Sequence, residues 1–378
     1  MIAFAADLHL TPHIWQDMTA LIGDSYRAFQ QIVDYCVSEK VTTLILGGDI
    51  FDKPKPDSLS VTTFVDGMRL LASAGTSVYA IQGQHERADP PWACLSEEVQ
   101  CIGDGQLIEI EDEGVKLTLR GYDNAPAESM KQAVKNMDPA PDILIVHQLA
   151  KQMVPFEGSW DFDAKWAPKG VKLILGGDYH IKSNDGKMYY PGSTHMRDSK
   201  EFGTHYFMTV TPVTKAVKKG RGKKKATELQ WSGKFAVHFE TLDSRRVTQL
   251  TINDAPHVDA ALAQLTEATE LVEGVDAELP PLVHLTYNPQ VEDALSRVAA
   301  VCKEKGYFLR TKTTIGGTEV VEGVPQLGAV TLEECLSRVI DRDKEPEFFS
   351  FALALLTGDA RTALDAVKAQ FNLVKETN

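Results

Sequence analysis

Repeatedly in its first 180 residues, this chain runs through a short apolar stretch and then meets a carboxylate, an amide or an imidazole. The stretches lead into Asp7-Leu8-His9, Gly48-Asp49-Ile50-Phe51-Asp52, Gly83-Gln84-His85-Glu86, Val146-His147 and Gly177-Asp178-Tyr179-His180. Short apolar runs of this kind read as strands buried on both faces. Between them the spacing turns helical, with Phe29, Ile32, Val33, Cys36 and Val37 in residues 25–40, and Val61, Phe64, Val65, Met68 and Leu71 in residues 58–74. Strands alternating with helices predict an α/β layered domain. The ends of such strands converge on one sheet edge, where open α/β folds build their sites.

Buried strands are expected at 2–6, 43–46, 78–81, 142–146 and 171–175. Hairpin-forming segments are expected at 107–110, 116–120, 187–190, 205–211, 234–241 and 247–252. Near Asn253-Asp254-Ala255-Pro256 the character changes. A small α+β unit is expected next, with a helix from about His257, a strand at 282–287, a helix at 289–305 and a strand near 308–313. Gly316-Gly317 and Gly323-Val324-Pro325 read as a linker. Beyond it, Leu332, Cys335, Leu336, Val339 and Ile340 form an apolar helical stripe, and Phe348, Phe349, Phe351, Leu353, Leu355 and Leu356 form a denser one. The predicted division is therefore 1–255, 256–322 and 323–378.

At 378 residues, with 24% charged and 43% hydrophobic residues, the chain has ordinary globular composition and can bury a sizeable core. No apolar run approaches the roughly 18 residues of a membrane span, and the N-terminus reads as a buried strand, not a signal peptide. The five cysteines are scattered without a C-x-x-C pair, which argues against a disulfide framework or structural zinc and for a reducing, cytoplasmic setting. The net charge of −14 does not suggest a nucleic-acid binder, yet residues 215–225 are strongly basic. Within that segment Lys218, Lys219, Arg221, Lys223, Lys224 and Lys225 are candidate phosphate-backbone contacts. The bland alternative is a solvated hairpin tip.

Taken singly, an aspartate after a strand caps a turn, and a lone histidine is more often a satisfied core residue than a ligand. The ordered set points to chemistry. Cleaving a phosphate ester requires charge to be stabilised on both the attacking and the leaving oxygens, and two divalent ions roughly 3.5–4 Å apart do this. A mixed Asp/His donor set suits Mn²⁺, Fe²⁺ or Zn²⁺ better than Ca²⁺.

On these motifs the sequence resembles the calcineurin-like metallophosphoesterases, whose signature runs D-x-H, G-D, G-N-H-D/E, H, G-H-x-H. More narrowly it is similar to the SbcD-type DNA repair nuclease subunits. That match rests on Gly48-Asp49-Ile50-Phe51-Asp52 with its Lys-Pro loop and Pro56-Asp57-Ser58, the 36 residues from Asp49 to His85, and Tyr190-Pro191-Gly192-Ser193. The resemblance implies a layered α-β-β-α sandwich with a small α+β cap and a helical C-terminal tail. It implies a first metal on Asp7, His9, Asp49 and His180, and a second on Asp49, Gln84, His147 and Asp178. His85 would stabilise the transition state or protonate the leaving oxygen. Mn²⁺ is the expected metal, with Mg²⁺ next. DNA, an SbcC-like SMC-type ATPase docked on the C-terminal helices, and a second copy of the chain are the implied partners, with the middle unit facing DNA. The chain carries no phosphate-binding G-x-x-x-x-G-K-[ST] loop of its own.

Two positions depart from the family pattern: Gln84 stands where the family has Asn, and Asp178 where it has His. Both fall on the second metal, so an oxygen-rich or inactive second site is expected. The rival functions are a small-molecule or protein phosphoesterase, and a DNA-binding scaffold with weak catalysis.

Overall fold

The computed structural model describes residues 1–13, 22–154, 159–197, 201–219, 226–270, 279–291, 293–315 and 318–320. It divides into two compact units. One comprises Met1–Thr248 with Glu270–Leu282, and the other Gln249–Thr269 with Val283–Asn378.

The first unit holds two six-stranded sheets. In one, β1 (Ile2–Ala5), β2 (Thr43–Gly47), β3 (Ser77–Ile81) and β4 (Val99–Cys101) run parallel. In the other, β5 (Asp104–Asp112) and β6 (Val115–Tyr122) form a hairpin, followed by β7 (Ile143–His147), β8 (Leu173–Gly177), β9 (Ser183–Asn184) and β10 (Met188–Tyr190). The first sheet is completed by the antiparallel ribbon of β11 (His205–Lys219) and β12 (Ala226–Leu242), which adds to β1 through β11. The strand orders are β12-β11-β1-β2-β3-β4 and β5-β6-β7-β8-β10-β9.

Residue alternation explains the layering. Ile2 and Phe4 of β1 join Ile45, Leu119, Ile143, Ile145, Leu173 and Leu175 in a core between the sheets. Ala3 and Ala5 face the other way, into a core with Phe29, Ile32, Phe64 and Met68 of α1 (Asp24–Ser38) and α2 (Ser58–Ser73). Leu144, Val146 and Ile174 do the same on the far side, beneath Met130 and Val134 of α3 (Ala127–Lys135). The result is the layered α/β arrangement that the sequence predicted, in the α-β-β-α order that the resemblance implied. Each large side chain buried this way contributes about 1.5–3 kcal/mol.

Asp57 sets where α2 starts, its carboxylate accepting the Ser60 N–H at 3.0 Å. Asp57→Ala should therefore cost about 1 kcal/mol of stability, read by denaturant titration.

Several details differ from the expectations. β10 pairs antiparallel with β9 as the expected hairpin, and its other edge lies parallel beside β8, which the sequence did not indicate. The short elements α3 and β4 gave too few apolar positions to show a period. Cys94 and Cys101 form a disulfide, correcting the expectation of unpaired cysteines. A 3₁₀ turn at Trp92–Leu95 folds the chain back and brings their Cα atoms to 5.9 Å, within ordinary bridging distance. Cys36 and Cys302 are free and buried.

The second unit packs α4 (Ala255–Glu270) and α5 (Ala294–Lys305) around Leu250, Ile252, Val283, Leu285 and Val298. Its sheet runs β13 (Val247–Ile252), β14 (Leu282–Tyr287), β15 (Phe308–Ile315), β16 (Thr318–Val320). Ile315 pairs with Thr318, so strands flank Gly316-Gly317 where a linker was expected. The apolar stripes at 332–356 lie outside the described residues. No helix among the described residues is long and apolar enough to cross a membrane.

Candidate metal centre

The ends of β1, β2, β7 and β8, with the loop after β3, meet between the two sheets. Here the backbone itself is unusual: Asp7 (φ 55°), His9 (φ 41°), Asp49 (φ 50°) and Asp178 (φ 82°) all occupy the left-handed region. Non-glycine residues visit this region rarely, and such outliers gather at functional sites. Gly48, at φ 92°, is required for the same reason, and an added Cβ would stand 2.4 Å from His147 Nδ1. At Gly83 a Cβ would meet Asp49 Oδ1 at 2.0 Å.

Asp49 is the hub. Its buried Oδ2 lies 3.5 Å from His9 Nε2, 3.4 Å from His147 Nε2 and 4.0 Å from His85 Nε2. Asp7 Oδ1 lies 3.7 Å from His180 Nε2 and 3.8 Å from His147 Nε2, and the Nε2 atoms of His9 and His180 are 3.3 Å apart. Donors each about 2.1 Å from one ion stand roughly 3–3.5 Å from each other. Three overlapping clusters bring one ligand atom from each residue within 4.8 Å of the others, close to that spacing: Asp7-His9-His180, His9-Asp49-His85 and Asp7-Asp49-His147.

The orphaned atoms point the same way. Asp49 Oδ2, His147 Nε2 and Gln84 Oε1 are buried without a hydrogen-bond partner. His147 donates Nδ1–H to Gly47 O at 2.7 Å, which leaves Nε2 bare toward the aspartates. Burial pushes Asp7 up to about 6, against the pull of His147 and His180. Burial would lower His147, but the Asp49 carboxylate 3.4 Å away outweighs it and pushes it up to about 10. Asp49 stays below the usual carboxylate range because His147 and His9 outweigh the cost of burial. Buried carboxylates here call for positive charge, which a divalent cation supplies. The residues present fit such a group.

The expected second-metal residues are arranged differently. Asp178 donates its backbone N–H to Asp7 Oδ1 and Oδ2 at 3.0 and 3.1 Å, while its carboxylate accepts a short hydrogen bond from the Gln84 amide. The two departures from the family pattern therefore touch each other, and Asp178 belongs to none of the three clusters. His85 is more open, its side chain 38% exposed. Its backbone N–H reaches Asp49 Oδ1 at 2.9 Å, and its Nδ1 lies 3.3 Å from Asp52 O.

Glu201, Arg197, Asp52 and Glu86 also build the site, though sequence reasoning gave them no role. Glu201 accepts from His180 Nδ1 at 2.6 Å, aiming Nε2 at Asp7, and burial's upward push on it is outweighed by His180, leaving it at about 2. Carboxylates behind ligand histidines fix tautomer and ring orientation. Glu201→Gln should weaken Mn²⁺ binding by roughly 10–100-fold in calorimetric titration. The sole signal in sequence was a glutamate shortly after Tyr190-Pro191-Gly192-Ser193.

Of the basic segment, residues 215–219 belong to β11 at the end of the β11–β12 ribbon, whose described register ends at Lys219 opposite Ala226. Lys218 and Lys219 end β11. Arg221, Lys223, Lys224 and Lys225 lie outside the described residues.

The chain belongs to the calcineurin-like phosphoesterase family, whose profile matches residues 1–198. Among curated relatives it is similar to DNA double-strand break repair proteins Mre11. The relative from Sulfurisphaera tokodaii is 26% identical over 170 residues, covering 42% of this chain and 43% of the relative. That from Saccharolobus solfataricus is 24% identical over 169 residues, covering 42% and 44%. That from Sulfolobus acidocaldarius is 22% identical over 274 residues, covering 69% and 68%. The matched region thus spans less than half the length of the first two relatives.

Proposed function

We propose that the chain is a Mn²⁺-dependent DNA nuclease subunit, acting as exonuclease and single-strand endonuclease in an SbcCD-like repair and recombination complex. One observation carries the reading: Asp7, His9, Asp49, His147 and His180 converge from strand ends, with Asp49 Oδ2 and His147 Nε2 buried and unpaired. Two divalent ions held by these residues would supply Lewis acidity, to polarise water and offset charge on the phosphate.

Asp49, beside His9, His85 and His147, would be shared by both ions. Asp7, His9 and His180 would hold the first, while His147, Gln84 and Asp178 would complete the second. The bare Gln84 Oε1 supports an oxygen-rich second site with Mn²⁺ or Mg²⁺ preference. His85 donates Nδ1–H to Asp52 O, keeping Nε2 toward the centre, where the doubly protonated ring would give its Nε2 proton to the leaving oxygen and remain neutral.

DNA as substrate is supported by the Mre11 relatives and the basic segment. In this reading residues 256–322 face DNA, residues 323–378 dock an SbcC-like SMC-type ATPase, and the chain pairs with a second copy in the cytoplasm. The Gln84–Asp178 contact favours one rival, a DNA-binding scaffold with weak catalysis, because it occupies the Asp178 carboxylate.

Linear duplex and single-stranded DNA incubated with Mn²⁺, Mg²⁺ or chelator test the proposal. Mn²⁺-dependent degradation is expected. Metal-dependent turnover of p-nitrophenyl phosphate with both DNAs intact would assign the protein to small phosphoesters. DNA retention without cleavage would assign it to scaffolding.

A further inference from the structure

Arg197 enters the centre from the loop after β10. Its Nη1 lies 2.9 Å from His9 Nε2, and its Nη2 lies 2.6 Å from Asp52 Oδ1. Its backbone N–H donates to Glu201 Oε2 at 3.0 Å, on the carboxylate whose other oxygen holds His180. The Arg197 side chain is 23% exposed and that of Asp52 19%, so the ion pair is largely withdrawn from water.

A guanidinium has five donors and no acceptor. Its contact with His9 Nε2 therefore uses the ring's lone pair, with the proton on Nδ1, which stands 3.5 Å from Asp52 Oδ1. A metal ion needs that same lone pair, and one lone pair cannot serve both. The planar fork that fits carboxylate oxygens also fits phosphate oxygens.

We propose that Arg197 and a divalent cation exchange at His9 Nε2, and that the released guanidinium, kept beside the centre by Asp52, contacts an anionic oxygen of the scissile phosphodiester. The first half concerns metal binding alone. The second rests on the nuclease reading above. If Arg197 merely balanced buried carboxylates, its removal would leave the KM for DNA unchanged.

Calorimetric titration of MnCl₂ into the metal-stripped full chain reads the exchange, comparing wild type, Arg197→Ala and Arg197→Lys. Arg197→Ala should bind Mn²⁺ about fivefold or more tightly than wild type. In saturating Mn²⁺ its KM for a single-stranded oligonucleotide should rise about tenfold. Arg197→Lys keeps the charge but not the fork, so it should recover part of the KM, and it provides the comparison if the alanine variant does not fold. Equal or weaker Mn²⁺ binding in both variants overturns the exchange. An unchanged KM in both overturns the phosphate contact. Tighter Mn²⁺ binding in a protein whose wild type cuts no DNA sustains the exchange and rejects the nuclease reading.

Discussion

Asp49→Ala should abolish Mn²⁺-dependent DNA cleavage, and the loss of metal affinity should exceed the roughly 10–100-fold that follows removal of an outer partner. The carboxylate is fully buried, with three imidazole nitrogens within 4.0 Å of one oxygen and the His85 N–H on the other. Without it, His147 Nε2 loses the carboxylate oxygen 3.4 Å away, and two sets of donors lose their shared member. Asp49→Asn separates chemistry from packing. Its amide oxygen still accepts from His85 N–H, so the fold should survive, while the charge that bridges two cations is gone. Calorimetry and cleavage should therefore fail together in both variants. An Asp49→Asn variant that bound two Mn²⁺ and cut DNA at the wild-type rate would exclude Asp49 as the bridge.

The largest stability effect is expected at Glu86. This buried carboxylate accepts the Phe51 N–H at 2.8 Å and the Gly83 N–H at 3.2 Å, pinning the loop after β2 to the loop after β3. Glu86→Ala strands both N–H groups, and at about 1–3 kcal/mol each the loss should total about 2–6 kcal/mol. Burial pushes Glu86 up to about 7 from an ordinary 4.5, despite the backbone donors. A carboxyl with a raised folded value contributes fully below about 4.5, and that contribution is lost as pH rises through about 7. Urea melts in chelator should therefore show Glu86→Gln gaining on wild type between pH 5 and pH 8. A difference independent of pH would show that Glu86 does not titrate in that window.

The parts legible in the sequence were those in which one segment carries its own signal. Ile2–Ala5 and Ile143–His147 are apolar throughout because both faces are covered, and each leads into a ligand type. The ordered Asp and His residues needed only their strand ends to be recognised. What escaped was relational. Arg197 stands 188 residues from His9, and no local period announces that pair. Gln84 and Asp178 could each be seen to depart from the pattern, but only the fold shows that they touch. Cys94 and Cys101 were hidden likewise, since a turn of ordinary residues brings them together. The ribbon of β11 and β12 was underestimated because its outer part mixes charged residues with apolar ones.

The wide separation of the clustered side chains also bears on how the molecule assembles. Asp7 meets Asp178 and His9 meets His180, each across 171 residues. Contacts of such long range form slowly, since a large loop must close before they reward it. No fragment ending before β8 can hold the complete Asp7-His9-His180 cluster. The capacity to capture a cation with full affinity should therefore arise late in folding, after the two sheets have packed. In a refolding experiment, the recovery of Mn²⁺ binding would time that last step, whereas the helical signal would report the earlier ones.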